Sequence, residues 1–462
     1  MSCTSNITSG FIDLATFDEL EKYLYGGANA IAYFVRETRK ATWFTQVPVV
    51  LSKSSGNAEF GQDNSVNISR AGDYLLAAWL RVNIPSVTLS ANNAYGTDGR
   101  LRWTRNLMHN LVAECIITFN DLVACRFDNY SLDFWAAFTV PAGKQNGYKN
   151  MIGDFDDLTG PHAPGDAIPA ATLNLPLPFF FSRDSGVALP TAALPYNEMR
   201  ITYTFRNWTE LLIIDNLGAA VGTNPSSAPT LTDLGGSAPV LGTCQTWANY
   251  AIVSNDERKR MACGPRNMLI EQFQTSPLHT FQPGNTGNSS PSYDLRFSHA
   301  LKVVFFNVRN NTVPSQWSNY TAATPVPGST VVNFNPPGAV DPLHTTSLTY
   351  ENTARLQNMG SDYYSLVQPW YHAPVIPTET GYHMYSYSLD FYGLDPKGST
   401  NYGKLTNVSI ASIASLGSST AANGLGAVGS GANFPQTYKY VTTVVNNNIV
   451  RVSGGALGFP VL

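Results

Sequence analysis

Charge is scarce in this chain. Lys, Arg, Asp and Glu together make up 13% of its 462 residues, against roughly a quarter in an average soluble protein. No block of Lys or Arg occurs at either end of the sequence, and the net charge is −4. Affinity for nucleic acid comes mainly from counterions released by clustered cations, so direct nucleic-acid binding is excluded as a main role. Cysteine is also sparse. Cys3, Cys115, Cys125, Cys244 and Cys263 are odd in number and none are spaced C-x-x-C, so they read as free thiols in a reducing compartment. Apolar runs all fall short of the ~18 residues of a membrane span, and the polar opening lacks the pattern of a signal peptide. The expectation is a protein kept in the cytosol until it is used.

Catalytic signatures are missing as well. There is no phosphate-binding loop, no G-x-S-x-G elbow and no pair of histidines four apart on a helix. Gly424-Leu-Gly426-Ala-Val-Gly429 matches a dinucleotide fingerprint in letters only, because it sits in a Ser/Ala/Gly tract with no strand before it and reads as a loop. Asp154-Phe-Asp156-Asp157 lacks the glycine and distal glutamate of a calcium loop and reads as a solvated turn. The sequence therefore points to no catalytic residue, metal ligand or cofactor.

Glycine, proline, asparagine and aromatic residues are abundant. With 37 Gly, 29 Pro and 12% aromatics, the composition favours many short strands joined by irregular loops. The length suits two or three cores. Met199, Ile201, Tyr203 and Phe205 alternate with polar residues, as do Tyr385, Tyr387, Leu389 and Phe391, each marking a half-buried strand. Residues 113–119, a turn at Asn120-Asp121 and a return strand from Leu122 form a hairpin. Residues 74–84 and 301–308 are apolar on both faces and read as buried strands. A last strand from Tyr438 turns at Asn446-Asn447-Asn448 into a short strand at 449–452.

Helices are few. Thr16 and Glu19 suggest a capping box opening an N-terminal helix, with Phe17, Leu20 and Leu24 on one face and Gly26-Gly27 as its stop. Residues 131–138 and a segment opened by a Ser254/Glu257 box are two more. Long loops are expected at 217–239, 284–292, 321–346 and 415–431. The organisation read from this is an arm at 1–44, a strand-rich unit at 45–215, a linker at 216–239 and a second strand-rich unit at 240–462. The units repeat in pattern, not in sequence. Of eight N-x-S/T sequons, Asn67, Asn207, Asn319 and Asn407 are the candidates for modification, and without a signal peptide they are not expected to meet the ER machinery.

Several ordered blocks carry a resemblance. They include Ser9-Gly-Phe-Ile-Asp-Leu-Ala-Thr-Phe17, Arg102-Trp-Thr-Arg-Asn106, Met108-His-Asn110, Asp133-Phe-Trp135, Pro178-Phe-Phe-Phe-Ser-Arg183-Asp184 and Leu194-Pro-Tyr196-Asn-Glu198. Leu269-Ile-Glu271-Gln272, Tyr385-Ser-Tyr-Ser-Leu389-Asp-Phe-Tyr-Gly-Leu-Asp395 and the stretch 448–460 complete them. Taken together the chain resembles the major capsid proteins of iridoviruses, the insect-infecting branch above all, within the large icosahedral DNA viruses. That resemblance implies an all-β fold of two tandem eight-stranded jelly-roll sandwiches with long loops, a few short helices and an N-terminal helical arm.

It also implies a non-enzymatic role: homotrimers forming pseudo-hexagonal capsomers that tile an icosahedral shell over an internal membrane, made in the host cytoplasm and ending in the virion. Neighbouring capsomers and minor capsid proteins would be the partners. By the same analogy Arg183, Asp184, Tyr196 and Glu198 serve packing or subunit contact, with a local Arg183–Asp184 pair as an equal reading. The helix bearing Phe17, Leu20 and Leu24 would dock on the inner face. The competing readings are a β-sandwich lectin or hydrolase, marked by a cleft with a carboxylate pair or metal, and a receptor- or glycan-binding role for the outer loops.

Overall fold

The computed structural model describes residues 4–220, 222–283, 291–322, 341–424 and 434–459. Cys3, the Asn288 sequon, residues 425–429 of the glycine motif, and much of the loops at 284–292, 321–346 and 415–431 lie outside them. The chain divides into an arm, Met1–Trp43, and a body, Phe44–Leu462.

The arm holds two helices, α1 (Thr4–Ala15) and α2 (Glu19–Leu24). The expected capping box is shifted. Asp18, not Thr16, caps α2, accepting from the Leu20 and Glu21 N–H groups at 2.9 and 3.4 Å while the Glu21 carboxylate accepts from the Asp18 N–H at 3.3 Å. A carboxylate reaches these donors better than a threonine whose hydroxyl is already donated back to the Ile12 carbonyl of α1 at 2.9 Å. Helix α1 carries too little charge patterning to be read from the sequence.

Among the described residues, the body is built from sixteen principal strands in two sets of eight. The first set is β1 (Phe44–Val50), β2 (Asp63–Asn67), β3 (Tyr74–Ile84), β4 (Val112–Phe119), β5 (Leu122–Asp128), β6 (Ala171–Pro176), β7 (Met199–Phe205) and β8 (Cys244–Val253). They pair as β1–β8–β3–β6 and β2–β7–β4–β5. The second set is β9 (Arg266–Thr275), β10 (Ser292–Asp294), β11 (Ala300–Asn310), β12 (Leu343–Tyr350), β13 (Thr353–Gly360), β14 (His383–Ser386), β15 (Val408–Ala414) and β16 (Tyr438–Ser453). These pair as β9–β16–β11–β14 and β10–β15–β12–β13.

In both sets one sheet has the order first, eighth, third, sixth and the other second, seventh, fourth, fifth. That is the jelly-roll order, twice, as expected. The boundary differs from the expected one. Cys244–Val253 does not open the second unit; it lies in the first sheet between β1 and β3, in register with both. The irregular stretch at 217–239 is thus a loop inside the first sandwich.

Alternation explains the packing. Strand β7 buries Met199, Ile201, Tyr203 and Phe205 and leaves the residues between half exposed. Strand β11 is buried along both faces: Val304 and Phe306 enter the second sandwich's own core, while Val303 and Phe305 join the cluster that continues into the first. The hairpin turn is as read, with Asn120 and Asp121 both at positive φ (49° and 65°). Two strand expectations fail. Strand β14 ends at Ser386, where the Ser386 hydroxyl donates to the Ser388 carbonyl at 2.8 Å and turns the chain out of the sheet.

The asparagines at 446–448 make no turn either; β16 runs through them. Their amides find partners along β9: Gln274 Nε2 donates to Asn446 Oδ1 at 2.9 Å and Asn448 Nδ2 to Gln272 Oε1 at 3.2 Å, so a stretch that reads as a turn is satisfied inside a ladder. Three helices matter below: α3 (Leu107–Leu111), α4 (Asn129–Thr139) and α5 (Ala142–Ile152), of which α4 is capped by Asp128. The helix at Asn255–Ala262 follows Ser254 without the expected side-chain cap.

Candidate assembly surfaces

Buried aromatic and charged side chains of the body gather in the seam where the two sandwiches meet. Helix α4 presents Phe134, Trp135 and Phe138 to the outward face of the sheet β9–β16–β11–β14. Phe134 meets Phe305, Tyr320 and Tyr382 at ring separations of 6.2, 5.5 and 6.3 Å, and Phe138 stacks on Phe305 at 5.2 Å. Trp135 lies edge-on to Phe273 and Phe391 at 5.6 and 5.9 Å. Such pairs add to the large apolar burial.

Three polar stations fasten this seam. The Asp133 carboxylate accepts from Ser318 Oγ and Tyr320 Oη (2.9 and 2.8 Å) in the second half, and from Asn106 Nδ2 (3.3 Å) in the first. His109 Nδ1 lies 2.7 Å from it. Trp317 is clasped between two guanidiniums, Arg206 at 3.9 Å and Arg309 at 3.6 Å from its ring, one from each half. Arg183 lies flat over Trp135 at 3.6 Å and 3.0 Å from Glu271 Oε2. The other oxygen of Glu271 takes the ammonium of Lys302, itself fully buried, which also donates to the Gly393 carbonyl at 2.6 Å. Burial pulls the Arg183 guanidinium below its usual value, and Glu271 opposes that fall.

This corrects the local Arg183–Asp184 pair: Arg183 turns inward to Glu271, and Asp184 stays exposed. Tyr196 is 76% exposed and leans on the turn at Gly455, where a Cβ would come within 2.9 Å of its ring. Glu198 pairs with Arg200 at 2.5 Å on the surface, and its N–H donates to Asn120 Oδ1 at 2.7 Å. The blocks that carried the sequence resemblance thus converge. Met108–Asn110, Asp133–Trp135, Phe180–Arg183, Glu271 and Phe391–Gly393 meet in the seam, and Tyr196 meets the turn at Gly455 in the last of these blocks. In the arm, Phe17, Leu20 and Leu24 are 55%, 61% and 61% exposed. Of the sequons, Asn207 and Asn407 are exposed and Asn67 half-buried. Asn319 is 1% exposed, with its side-chain oxygen accepting from Thr321 N and Oγ1, and has no room for a glycan in the folded chain.

A cavity of 70 Å3 beside the seam holds the groups closest to a catalytic arrangement. His109 links Asp133 to the Tyr148 hydroxyl, 2.5 Å from Nε2. Burial pushes the Tyr148 phenol well up, so it is no nucleophile at neutral pH. The adjacent carboxylates Asp154 and Glu379 both hold Arg105, at 3.4 and 2.6 Å. Although burial works against its charge, they keep the Arg105 guanidinium above its usual value. A carboxylate pair spent on an arginine is not poised for hydrolysis.

The sequence reading missed one surface. Beyond β13 the helical segment 361–372 is π-wound at Tyr363–Val367 and α-helical at Gln368–His372. Leu366, Trp370, Tyr371 and the neighbouring Leu389 are 52%, 71%, 72% and 72% exposed. The adjoining Trp370-Tyr371 pair in a short helix was the only available signal.

Comparison with known proteins agrees with this picture. Residues 32–253 match the family model for the N-terminus of major capsid proteins, and residues 257–458 match that for the large eukaryotic DNA virus major capsid protein. The two matches divide the chain after β8. The major capsid protein of Costelytra zealandica iridescent virus is 62% identical over 99% of both chains. Those of Invertebrate iridescent virus 6 and Lymphocystis disease virus 1 are 61% and 49% identical over 99% of both. Among solved structures, the PBCV-1 virus capsid aligns with a TM-score of 0.73 at 21% identity, covering 93% of this chain and 100% of that one. The Faustovirus major capsid protein aligns with a TM-score of 0.67 at 12% identity, covering 92% and 93%.

Proposed function

Because the chain belongs to the major capsid protein family of large eukaryotic DNA viruses, with a structural rather than catalytic role and a place in the virion capsid, we propose that it acts as a homotrimeric, pseudo-hexagonal capsomer. The observation that supports this most is the pair of sandwiches with one strand order, fastened side by side through buried aromatic and ionic contacts. Three such pairs supply six equivalent sandwiches, enough to close a near-hexagonal ring. Capsomers then tile an icosahedral shell through neighbouring capsomers. The exposed Asp184, Tyr196 and Glu198 serve subunit contacts, while Arg183 is committed to the seam.

The arm residues Phe17, Leu20 and Leu24 dock on minor capsid proteins at the inner face. The viral membrane is met only through those proteins, the nucleic acid is not touched, and assembly takes place in the host cytoplasm. Light scattering on the purified chain, with a heat challenge, tests this reading. A heat-resistant species near three times 50.1 kDa is expected. A stable monomer overturns the capsomer and redirects the search to glycan binding or hydrolysis by a β-sandwich lectin or enzyme. Leu20→Asp with Leu24→Asp should leave trimers intact and impair shell formation in infected cells; normal shells would remove the arm from assembly.

A further inference from the structure

We propose that the helical segment 361–372 of one copy docks on the outward face of the sheet β1–β8–β3–β6 of a second copy. This rests on the capsomer reading and names the two surfaces that would close it.

Each sandwich places a helical segment between its fifth and sixth strands: α4 follows β5, and 361–372 follows β13. Both segments contain Tyr-Ser-Leu, as Tyr130-Ser131-Leu132 and Tyr364-Ser365-Leu366, and both of these tyrosines are buried (6% and 1% exposed). The sequence alone gives no reason to align three common residues; the topology does. A π-wound turn accommodates one extra residue. Trp370, six places after Tyr364, therefore corresponds to Trp135, five places after Tyr130.

The two segments differ in what covers them. The aromatics of α4 are pressed against the second sandwich of the same chain, where Phe273, Val445 and Val303 form a cross-strand row over β9, β16 and β11 beneath Trp135. Among the described residues Trp370 and Tyr371 have no such cover, and they are 71% and 72% exposed. The segment 361–372 holds one acidic residue, Asp362, at its start and no Lys, Arg or Glu, so the surface around Leu366, Trp370 and Tyr371 suits the charge-poor centre of an interface.

The matching receiving face is also open. The sheet β1–β8–β3–β6 is the strand-for-strand counterpart of β9–β16–β11–β14. On it Val50, Trp247, Trp79 and Pro176 form a row across all four strands. Trp79 and Trp247 stack at 6.3 Å and are half-buried, and Val50 is 40% exposed. Each chain thus carries one docked helix on one filled face, and one free helix with one open face. Contact between unlike surfaces of identical chains produces a ring when its rotation closes. Covering two aromatics at 150–250 Å2 each, with Leu366 and Leu389, removes roughly 500 Å2, most of the ~800 Å2 per partner of a standard interface.

Tyr371 replaced by the photo-crosslinker p-benzoylphenylalanine in the full chain tests the contact. Irradiation of the assembled protein should join it to peptides from 44–50, 74–84 or 244–253 of another copy. Crosslinks mapping elsewhere, or none in a preparation that light scattering shows to be trimeric, overturn this docking and leave the capsomer standing. Trp370→Ala with Tyr371→Ala should raise the concentration for half-dissociation a hundredfold or more, with an unchanged circular dichroism spectrum. Undiminished trimers also overturn the docking. A monomeric unaltered chain overturns both the docking and the capsomer.

Discussion

Glu271 holds two cations, and its position explains why a single carboxylate matters to the whole body. Removing it leaves Lys302 fully buried without its counter-charge and Arg183 bound only by stacking on Trp135. Glu271→Ala should therefore cost about 3–5 kcal/mol. Arg183→Ala, which spares the Lys302 pair, should cost less, about 2 kcal/mol. Asp184→Ala, at an exposed position, should stay within about 0.5 kcal/mol. Chemical denaturation of the three variants checks the order, and a large effect at Asp184 would restore the local pair. The tyrosines set a second dependence. Burial pushes the phenols of Tyr203, Tyr320, Tyr382 and Tyr402 well above their usual value. Their pKa is higher folded than unfolded, so their contribution is complete below the unfolded value of about 10 and is lost as the pH rises beyond it. Melting temperature should begin to fall near pH 9, because burial keeps the Cys115, Cys125 and Cys244 thiols protonated while unfolded thiols ionise, and should fall more steeply above about pH 10, with tyrosinate absorbance rising in step with unfolding rather than ahead of it.

Among the elements, those with a strong local signal were legible and those decided by distant partners were not. The Asn120-Asp121 hairpin could be read because only residues tolerant of positive φ fit its two corners. Asn120→Ala should cost about 1–2 kcal/mol through backbone strain and the lost acceptor for Glu198, measured by thermal melts. The asparagines at 446–448 were misread because their partners Gln272 and Gln274 lie more than 170 positions away. Strand β8 was assigned to the wrong half for a similar reason, since its neighbours β1 and β3 precede it by more than 150 residues. Of the seam, the blocks were recognised but their convergence was not. Arg183 and Glu271 are 88 residues apart, and nothing near either names the other.

At the scale of the molecule, two sandwiches with a common strand order form one body, and the Asp133, Trp317 and Glu271 contacts between them join groups of one half to groups of the other. A unit built this way carries shape and edges, which a repeating shell needs, and has little cause to flex. The strand order has a further consequence, for synthesis. In each sandwich the eighth strand sits in the interior of its sheet, between the first and the third. While the ribosome is still short of Val253 the first sandwich has a gap through its middle, and the second stays split in the same way until Ser453 has emerged. Incomplete chains therefore cannot present a finished surface to their neighbours, and growing shells are protected from truncated copies. Ribosome-stalled chains extended by a C-terminal linker long enough to fill the exit tunnel should turn from protease-sensitive to resistant in two steps, one after each eighth strand has left the tunnel. A gradual gain of resistance would show that the sandwiches form without those strands.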